Sequence, residues 1–186
     1  MYDNDKWLRY DQNQGWGGCY CTFYDDVREE DEINAGKDKR GDNREARRKT
    51  IQEGRASGLL AYAGGRVVGW CNVAEKSRYA NPRHILKVSE PGEKVGAITC
   101  FLVLAEFRGQ GLAKRMLASA CNLVKSWELP VAEAYPRNPE LPFDPKEIPG
   151  ANVNFRGSLR MFTDAGFEVH RKLERFSLVR KNLPRK

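Results

Sequence analysis

The feature that most constrains the fold is a long apolar run that leads through a glycine-rich turn into an amphipathic segment. The run is Val95–Leu104, and its length and continuous apolar character favour a strand that is buried on both faces. From Leu112 onward, apolar residues recur at helical spacing as far as Trp127, and Pro130 ends the pattern. A buried strand followed at once by a helix is typical of a mixed α/β sheet.

The segments on either side complete the predicted order of elements. Gly64-Gly65 is a hairpin signal between two short β-type runs. Helical and strand patterns then alternate towards the end of the chain, which predicts an α/β fold with a mixed sheet and helical crossovers. The other predicted elements are strands at Gly58–Ala63, Arg66–Ala74 and Val131–Tyr135, a helix at Phe155–Ala165, and strands at Phe167–His170 and Phe176–Arg180.

The chain length of 186 residues suits one domain. We therefore expect residues 1–186 to form a single unit. Its first part, residues 1–57, is aromatic and charged and partly helical, and residues 58–183 form the core. Within the first part, a helix is predicted over Asn43–Arg55, with Asp42 or Asn43 as its N-cap.

The net charge of +7 raises the question of a nucleic-acid partner. The basic excess lies mainly in residues 37–55 and 171–186, and the first of these stretches has no aromatic residue on which a base could stack. Nucleic-acid binding is therefore disfavoured, and the charge indicates solubility and steering of anions. No apolar run approaches the ~18–20 residues of a membrane helix. Residues 1–10 lack the apolar region of an export signal, so we expect a cytoplasmic protein. The sequence is compatible with a homodimer and does not decide the oligomeric state.

Five cysteines, an odd number, argue against a disulfide framework. Cys71, Cys100 and Cys121 lie within apolar runs and are interpreted as small core residues. Cys19 and Cys21 are also interpreted as structural, because the two histidines of the chain show no ligand spacing with them. No metal site is predicted.

The turn before the predicted long helix suits a phosphate ligand. The first backbone N–H groups of a helix have no partner within it, and they carry partial positive charge. Gly109 and Gly111 remove side chains, so that a phosphate can approach these N–H groups closely. Ala113 is small, and Arg108 adds a charged donor. The pattern lacks both the last glycine of the dinucleotide-binding fingerprint and the Lys-Ser/Thr of a Walker loop.

Arg108-x-x-Gly111-x-Ala113 resembles the acyl-CoA-binding signature of the GNAT acyltransferase superfamily, which reads Gln/Arg-x-x-Gly-x-Gly/Ala. Met161–Phe167 is similar to the family's later helix–Gly-Phe–strand element, and the resemblance spans residues 58–183. It implies a single GNAT-like α/β domain with a mixed, mostly antiparallel central sheet and helices on both faces. It also implies an N-acetyltransferase that uses acetyl-CoA as acyl donor. The acetyl group would pass to a primary amine of an acceptor by direct attack in a ternary complex.

The same resemblance assigns the cofactor-binding residues and part of the chemistry. Backbone N–H groups of the central strand, near Leu102 and Val103, would polarise the thioester carbonyl. Phe162 stands where many members have a tyrosine that protonates the departing thiolate, which is already a weak base with a pKa of about 8.5. The residues implied to bind the cofactor are Phe101, Leu102, Val103, Arg108, Gly109, Gln110, Gly111, Leu112, Ala113 and Lys114.

Three residues are candidates for catalysis at the acceptor. Glu133 and Tyr135 lie on the same face of their predicted strand, with Ala132 and Ala134 on the other face. Glu133 is a candidate base, and Tyr135 a candidate acid or substrate contact. Glu75 follows a hairpin strand and could face the acceptor, although a surface carboxylate is the commoner role at such a place. The alternatives are a non-catalytic acyl-CoA-binding module, which the missing tyrosine favours, and a basic nucleic-acid-binding protein.

Overall fold

The computed structural model describes Thr22 and residues 39–79, 92–140 and 155–184. Three α-helices and six strands are defined in these ranges. They are α1 (Lys39–Gln52), β1 (Gly58–Ala63), β2 (Arg66–Glu75), β3 (Val95–Val103), α2 (Leu112–Ser126), β4 (Val131–Ala134), α3 (Leu159–Asp164), β5 (Glu168–Lys172) and β6 (Ser177–Asn182).

The six strands form one sheet in the order β1-β2-β3-β4-β6-β5. Only β3 and β4 run parallel, joined by α2, while every other neighbouring pair is antiparallel. The predicted fold class, a mixed and mostly antiparallel sheet flanked by helices, is therefore confirmed. In the described part of the chain, no helix combines the length and the apolar composition that crossing a membrane requires.

The two faces of the sheet are covered differently. Helix α2 packs closely on one face, because a Cβ at Gly96 of β3 would lie 2.4 Å from the Val124 side chain of α2. Helix α1 covers the other face through polar contacts. Its buried Arg47 donates from Nη2 to Asn72 Oδ1 at 3.0 Å and lies 5.7 Å from the centroid of the Trp70 ring.

Two helix boundaries differ from the predicted ones. Helix α1 begins at Lys39, so Asp42 and Asn43 lie inside it and are not its cap. It was expected to continue to Arg55, but the left-handed φ of 66° at Gly54 is incompatible with a continuing helix. Helix α3 begins at Leu159 instead of Phe155 for a related reason. Gly157 has a φ of 80°, and the Ser158 hydroxyl accepts the Met161 N–H as an N-cap.

The feature that positions the functional site is a gap between β3 and β4. Their pairing ends at Ile98 and Ala134, beyond which β3 continues to Val103 against β2 alone. At this point Thr99 is an extra residue in β3, since the β2–β3 register shifts by one position there. The Thr99 hydroxyl accepts from Asn72 Nδ2 at 2.9 Å, which fixes the bulge. The strands therefore diverge at a defined, internally bonded point.

Candidate functional site

The edge of β3 that borders the gap offers backbone groups to a ligand. The Phe101 N–H donates to the Phe155 carbonyl, so it points away from β2. Val103, two residues on, presents its backbone on the same edge, and its carbonyl accepts from Arg108 Nε at 3.1 Å. Leu102 lies between them and directs its N–H towards β2. An oxyanion contact on this strand therefore falls to the Phe101 and Val103 N–H groups and not to that of Leu102.

The glycine turn lies directly beyond this edge. Gly109 and Gly111 have φ values of 71° and 75°, and a Cβ at either would meet no atom within 4 Å. Helix α2 starts from Gly111, whose carbonyl accepts from the Arg115 N–H at 3.1 Å, and no side chain caps its first turn. The N–H groups of the first turn, from Leu112 to Lys114, therefore have no capping side chain, as an anion site requires.

Two cations, Arg108 and Lys114, flank the turn in sequence. Arg108 is partly buried, and burial lowers the pKa of its guanidinium, which nonetheless stays charged. Lys114 is exposed and pairs with Asp164 at 2.9 Å, an ion pair that also lowers the pKa of the Asp164 carboxyl. Gln110 folds back, donating from Nε2 to the Glu106 carbonyl at 2.7 Å. The Lys114–Asp164 pair places the C-terminal end of α3 beside the turn.

On the opposite face, Glu133 is at the centre of a buried ionic cluster. Its side chain has 0% exposure. Lys76 Nζ donates to Oε1 at 2.6 Å, and Arg180 Nε donates to Oε2 at 2.8 Å. The Tyr135 hydroxyl also donates to Oε1, and Arg180 pairs in addition with Glu93. Both carboxylate oxygens of Glu133 are therefore engaged by cations, which is how a buried charge is tolerated.

Lys76 and Arg180 were not identified from the sequence. A signal existed, since a glutamate between two alanines in a buried strand requires a cationic partner. Arg180 is the cross-strand neighbour of Glu133 in the β4–β6 register, which only the pairing defines. Burial lowers the pKa of the Lys76 ammonium, and its bond to Glu133 opposes that change.

Tyr135 lies at the mouth of the gap, because it directly follows the last residue of β4 that pairs with β3. Its side chain is fully buried, and its ring packs edge to face on Phe176 at 6.4 Å. Ala132 and Ala134 belong to the core on the α2 side. The prediction that Glu133 and Tyr135 share the face opposite these alanines is therefore confirmed.

The fold does not place Glu75 beside the other two candidate residues, Glu133 and Tyr135. It pairs with Gly96, in the closed part of the strand pair. Alternation directs its side chain with Val73 towards α2, whereas Lys76 reaches Glu133 on the other face. The Glu75 carboxylate lies 4.0 Å from the Arg78 guanidinium.

Phe162, which occupies the position of the tyrosine that the resemblance leads one to expect, lies in the buried core. It packs edge to face on Phe101 at 6.2 Å and on Phe167 at 5.2 Å. Its ring therefore supports β3 from the α2 side, directly behind the gap edge.

The cysteines and metal ligands suggest no separate site. Cys71 and Cys121 are buried, as predicted, and burial raises the pKa of the Cys121 thiol. Cys100 was also predicted to be a core residue, but it is only partly buried, since it lies beyond the point where β3 loses β4 as a neighbour. Cys19 and Cys21 lie outside the described residues. Within the ranges that the structure describes, no group of three or more His, Cys, Asp or Glu residues could hold a metal ion.

Comparison with known proteins places this geometry in a family. The sequence profile of the acetyltransferase (GNAT) family matches residues 14–140. The fold is similar to that of PH1933 from Pyrococcus horikoshii OT3, with 17% identity, a TM-score of 0.52, and coverage of 97% of this chain and 93% of that one. It is also similar to the PaiA N-acetyltransferase of Thermoplasma acidophilum, solved in complex with coenzyme A, with 11% identity, a TM-score of 0.53, and coverage of 96% and 92%.

A third solved structure with the same fold is yncA from Salmonella typhimurium, determined with its cofactor acetyl-CoA. It shows 15% identity and a TM-score of 0.51, over 77% of this chain and 73% of that one. The sequence matched none of the curated proteins with which it was compared. Because the family profile covers most of the chain, including β3, the glycine turn and β4, the chain belongs to the acetyltransferase (GNAT) family.

Proposed function

We propose that the protein is an N-acetyltransferase that transfers an acetyl group from acetyl-CoA to a primary amine by direct attack in a ternary complex. Membership of the acetyltransferase family makes acetyl-CoA the acyl donor. The observation that carries the proposal is the gap beyond Ile98 and Ala134, whose β3 edge leads into the open turn at Gly109–Gly111. One ligand can therefore bind along a strand edge and at a helix N-terminus together.

In this proposal the pyrophosphate binds the first turn of α2, with Arg108 and Lys114 beside it. The pantetheine arm lies along β3 from Phe101 to Val103. There it replaces the bonds that the gap edge now makes with the Phe155 carbonyl and the Arg108 side chain. Release from Val103 frees Arg108 to turn towards the phosphates, so that binding at the two ends of the cofactor is coupled.

We assign to Tyr135 the role of acid for the departing thiolate. Its place at the mouth of the gap supports this assignment, and Phe162 cannot donate a proton. The Tyr135 hydroxyl donates to Glu133 in this structure, so transfer of its proton to the thiolate requires the hydroxyl to turn from Glu133 to the sulfur. Because both Glu133 oxygens are bonded to cations, Glu133 is not assigned as the base, and the proton that the attacking amine loses passes to solvent water. Glu75 is left out, because its side chain is directed to the other face.

The test has two stages. Calorimetric titration with acetyl-CoA, NADH and ATP should give binding of acetyl-CoA alone. At 100 times the dissociation constant, acetyl-CoA should stabilise the fold by about 2.7 kcal/mol. Release of the CoA thiol is then followed with a panel of primary amines. Binding without thiol release would indicate a non-catalytic binding module, and absence of binding would exclude the proposed function.

Two further expectations stay predictions. A cytoplasmic location is assigned from the sequence, and localisation of a tagged chain would test it. A homodimer is open, and sedimentation equilibrium would decide it.

A further inference from the structure

Arg156, close to the gap, has no acidic partner among the described residues. Its guanidinium carbon lies 5.0 Å from the centroid of the Phe155 ring and 5.7 Å from that of Phe176. Its Nε atom is buried and has no hydrogen-bond partner, the one such side-chain nitrogen or oxygen in the described part of the chain. A buried donor without an acceptor costs about 1–3 kcal/mol, so its retention calls for an explanation.

The backbone around Arg156 is firmly held. The Phe155 carbonyl accepts the Phe101 N–H of β3, and Ser158 forms a β-bridge with Arg137, beyond the end of β4. Gly157 permits the turn between them, with a φ of 80° and no room for a Cβ, which would lie 2.5 Å from a methionine methyl group. Residues 155–158 therefore span the mouth of the gap, from β3 to the continuation of β4. Of these two attachments, only the Phe155–Phe101 bond is one that the proposed cofactor replaces, so the Ser158–Arg137 bridge keeps Arg156 at the gap mouth in the ternary complex.

Arg156 lies on the acceptor side of the gap and away from the glycine turn. Phe176, on which it stacks, packs against Tyr135 on the face opposite α2. The turn is beside the far end of α3, where Lys114 pairs with Asp164, whereas Arg156 precedes the near end of that helix. Because the cofactor takes the α2 side, the amine has to approach from the side of Tyr135 and Phe176.

We propose that Arg156 is a specificity-determining residue that binds a carboxylate carried by the amine acceptor. This proposal rests on the proposed acetyl transfer and names the class of acceptor, an amino carboxylic acid. The two terminal nitrogens of the guanidinium, and not the buried Nε, form the planar fork that matches a carboxylate. The two rings hold the plane of that fork. One guanidinium, with neighbouring Lys76 and Arg180 already neutralised by Glu133 and Glu93, also matches a single negative charge.

The same charge has a chemical consequence for the amine. A carboxylate beside an amine raises the amine pKa, and pairing of that carboxylate with Arg156 removes this effect, which favours the neutral nucleophile. An acceptor without a carboxylate leaves Arg156 uncompensated, so its protonated amine is repelled. Arg156 thereby selects amines that carry an anion close by, and it does so without taking part in the transfer itself.

The test compares the free amino acids with their α-amides, which lack the carboxylate and have a lower amine pKa, so the acid-to-amide ratio of each variant is compared with that of the wild type. Rates of CoA thiol release are measured for the wild type, Arg156→Gln and Arg160→Gln. The last is a matched control with the same charge change, on an exposed residue of α3. We expect the wild type to prefer the best free acid over its amide by at least about tenfold in kcat/KM, the size of a charged hydrogen bond. Arg156→Gln should abolish this preference through the acceptor KM, and Arg160→Gln should keep it.

Each outcome bears on the proposal. Equal rates with acid and amide in the wild type, or a preference that survives Arg156→Gln, would overturn it while leaving acetyl transfer intact. A loss of acetyl-CoA affinity in Arg156→Gln would assign the residue to the cofactor and also overturn it. Failure of every amine in the wild type would instead contradict the proposed function. Should Arg156→Gln not fold, Arg156→Lys keeps the charge without the fork and should retain only part of the preference.

Discussion

The two faces of the β3–β4 gap are built in opposite ways. On the α2 side, the groups suited to the cofactor lie within one stretch of chain, from Phe101 to Lys114. On the other side, Lys76, Glu133 and Arg180 come from three separate elements and meet in a buried cluster. The first site consists largely of backbone groups at a turn, and the second of side chains that satisfy one another.

This difference has an energetic reason. A helix N-terminus exposes N–H groups whatever its tertiary context, so the anion site needs only a turn without side chains. A buried carboxylate is stable only if cations reach it, and removal of one partner leaves an uncompensated charge. We therefore expect substitutions on the α2 side to affect cofactor binding and those on the opposite side to affect stability and turnover.

The largest effect is expected for Gly111→Trp. The indole fills the open space in front of α2 and should weaken acetyl-CoA binding by at least about 100-fold, beyond detection in a calorimetric titration. Gly65→Trp is the matched control, since Gly65 has a similar φ of 74° and equally open surroundings in the β1–β2 turn. Unchanged affinity in Gly111→Trp would contradict the proposal that the cofactor binds at the N-terminus of α2.

Glu133→Ala should chiefly destabilise the fold. Lys76 and Arg180 lose their buried counter-charge, and the free energy of unfolding should fall by about 3–5 kcal/mol in urea denaturation. Glu45→Ala removes the carboxylate of the exposed pair with Arg48 and should change stability little. A Glu133→Ala variant of normal stability would show that the cluster does not stabilise this face.

The pH dependence of Glu133→Gln sharpens that result. Without the carboxylate, the pKa of Lys76, already lowered by burial, falls further. Between its folded and unfolded pKa values the unfolded chain binds more protons, so the free energy of unfolding rises with pH in that window. The stability deficit of Glu133→Gln relative to wild type should therefore narrow as alkaline pH is approached. A deficit that is constant with pH would mean that the loss of stability does not arise from the uncompensated Lys76 ammonium.

Tyr135→Phe should lower kcat by about 100-fold, the usual contribution of a positioned acid, with little change in acetyl-CoA affinity. Tyr79→Phe is a suitable control, because Tyr79 is a buried tyrosine of the same apolar cluster and its hydroxyl contacts Thr99 at 3.5 Å. If only the acceptor KM rises in Tyr135→Phe, the residue is a substrate contact and not the acid.

The smallest effect is expected for Lys114→Ala. Its ammonium is exposed and shared with Asp164, so loss of one phosphate contact should weaken acetyl-CoA binding only a few-fold, by about 0.5–1 kcal/mol, and less at high salt. Arg115→Ala, one position along α2 and also exposed, is the control. Equal effects of the two variants would indicate that Lys114 attracts the cofactor by its charge alone and does not contact a phosphate directly.

Some elements were predicted from sequence almost to the residue, and others were displaced. The strands β1 to β4 and the helix α2 agree with the predicted bounds to within about two residues, because each has a clear period and a glycine or proline at its end. The start of α3 was misplaced, since the periodicity of residues 155–165 resembles a helix throughout. The left-handed conformation of Gly157, which crosses the gap mouth, depends on contacts with β3 and with the continuation of β4.

The sequence by itself determined the cofactor half of this protein: a buried strand, a turn with two glycines and an amphipathic helix, each specified by neighbouring residues. It also determined that Glu133 and Tyr135 share a face, because alternation along a strand is a local property. Only the tertiary structure decided which cations neutralise Glu133, where β3 and β4 part, and that Arg156 has no counter-charge among the described residues. Those features depend on strand register and on residues far apart in the chain, and no local pattern encodes such contacts.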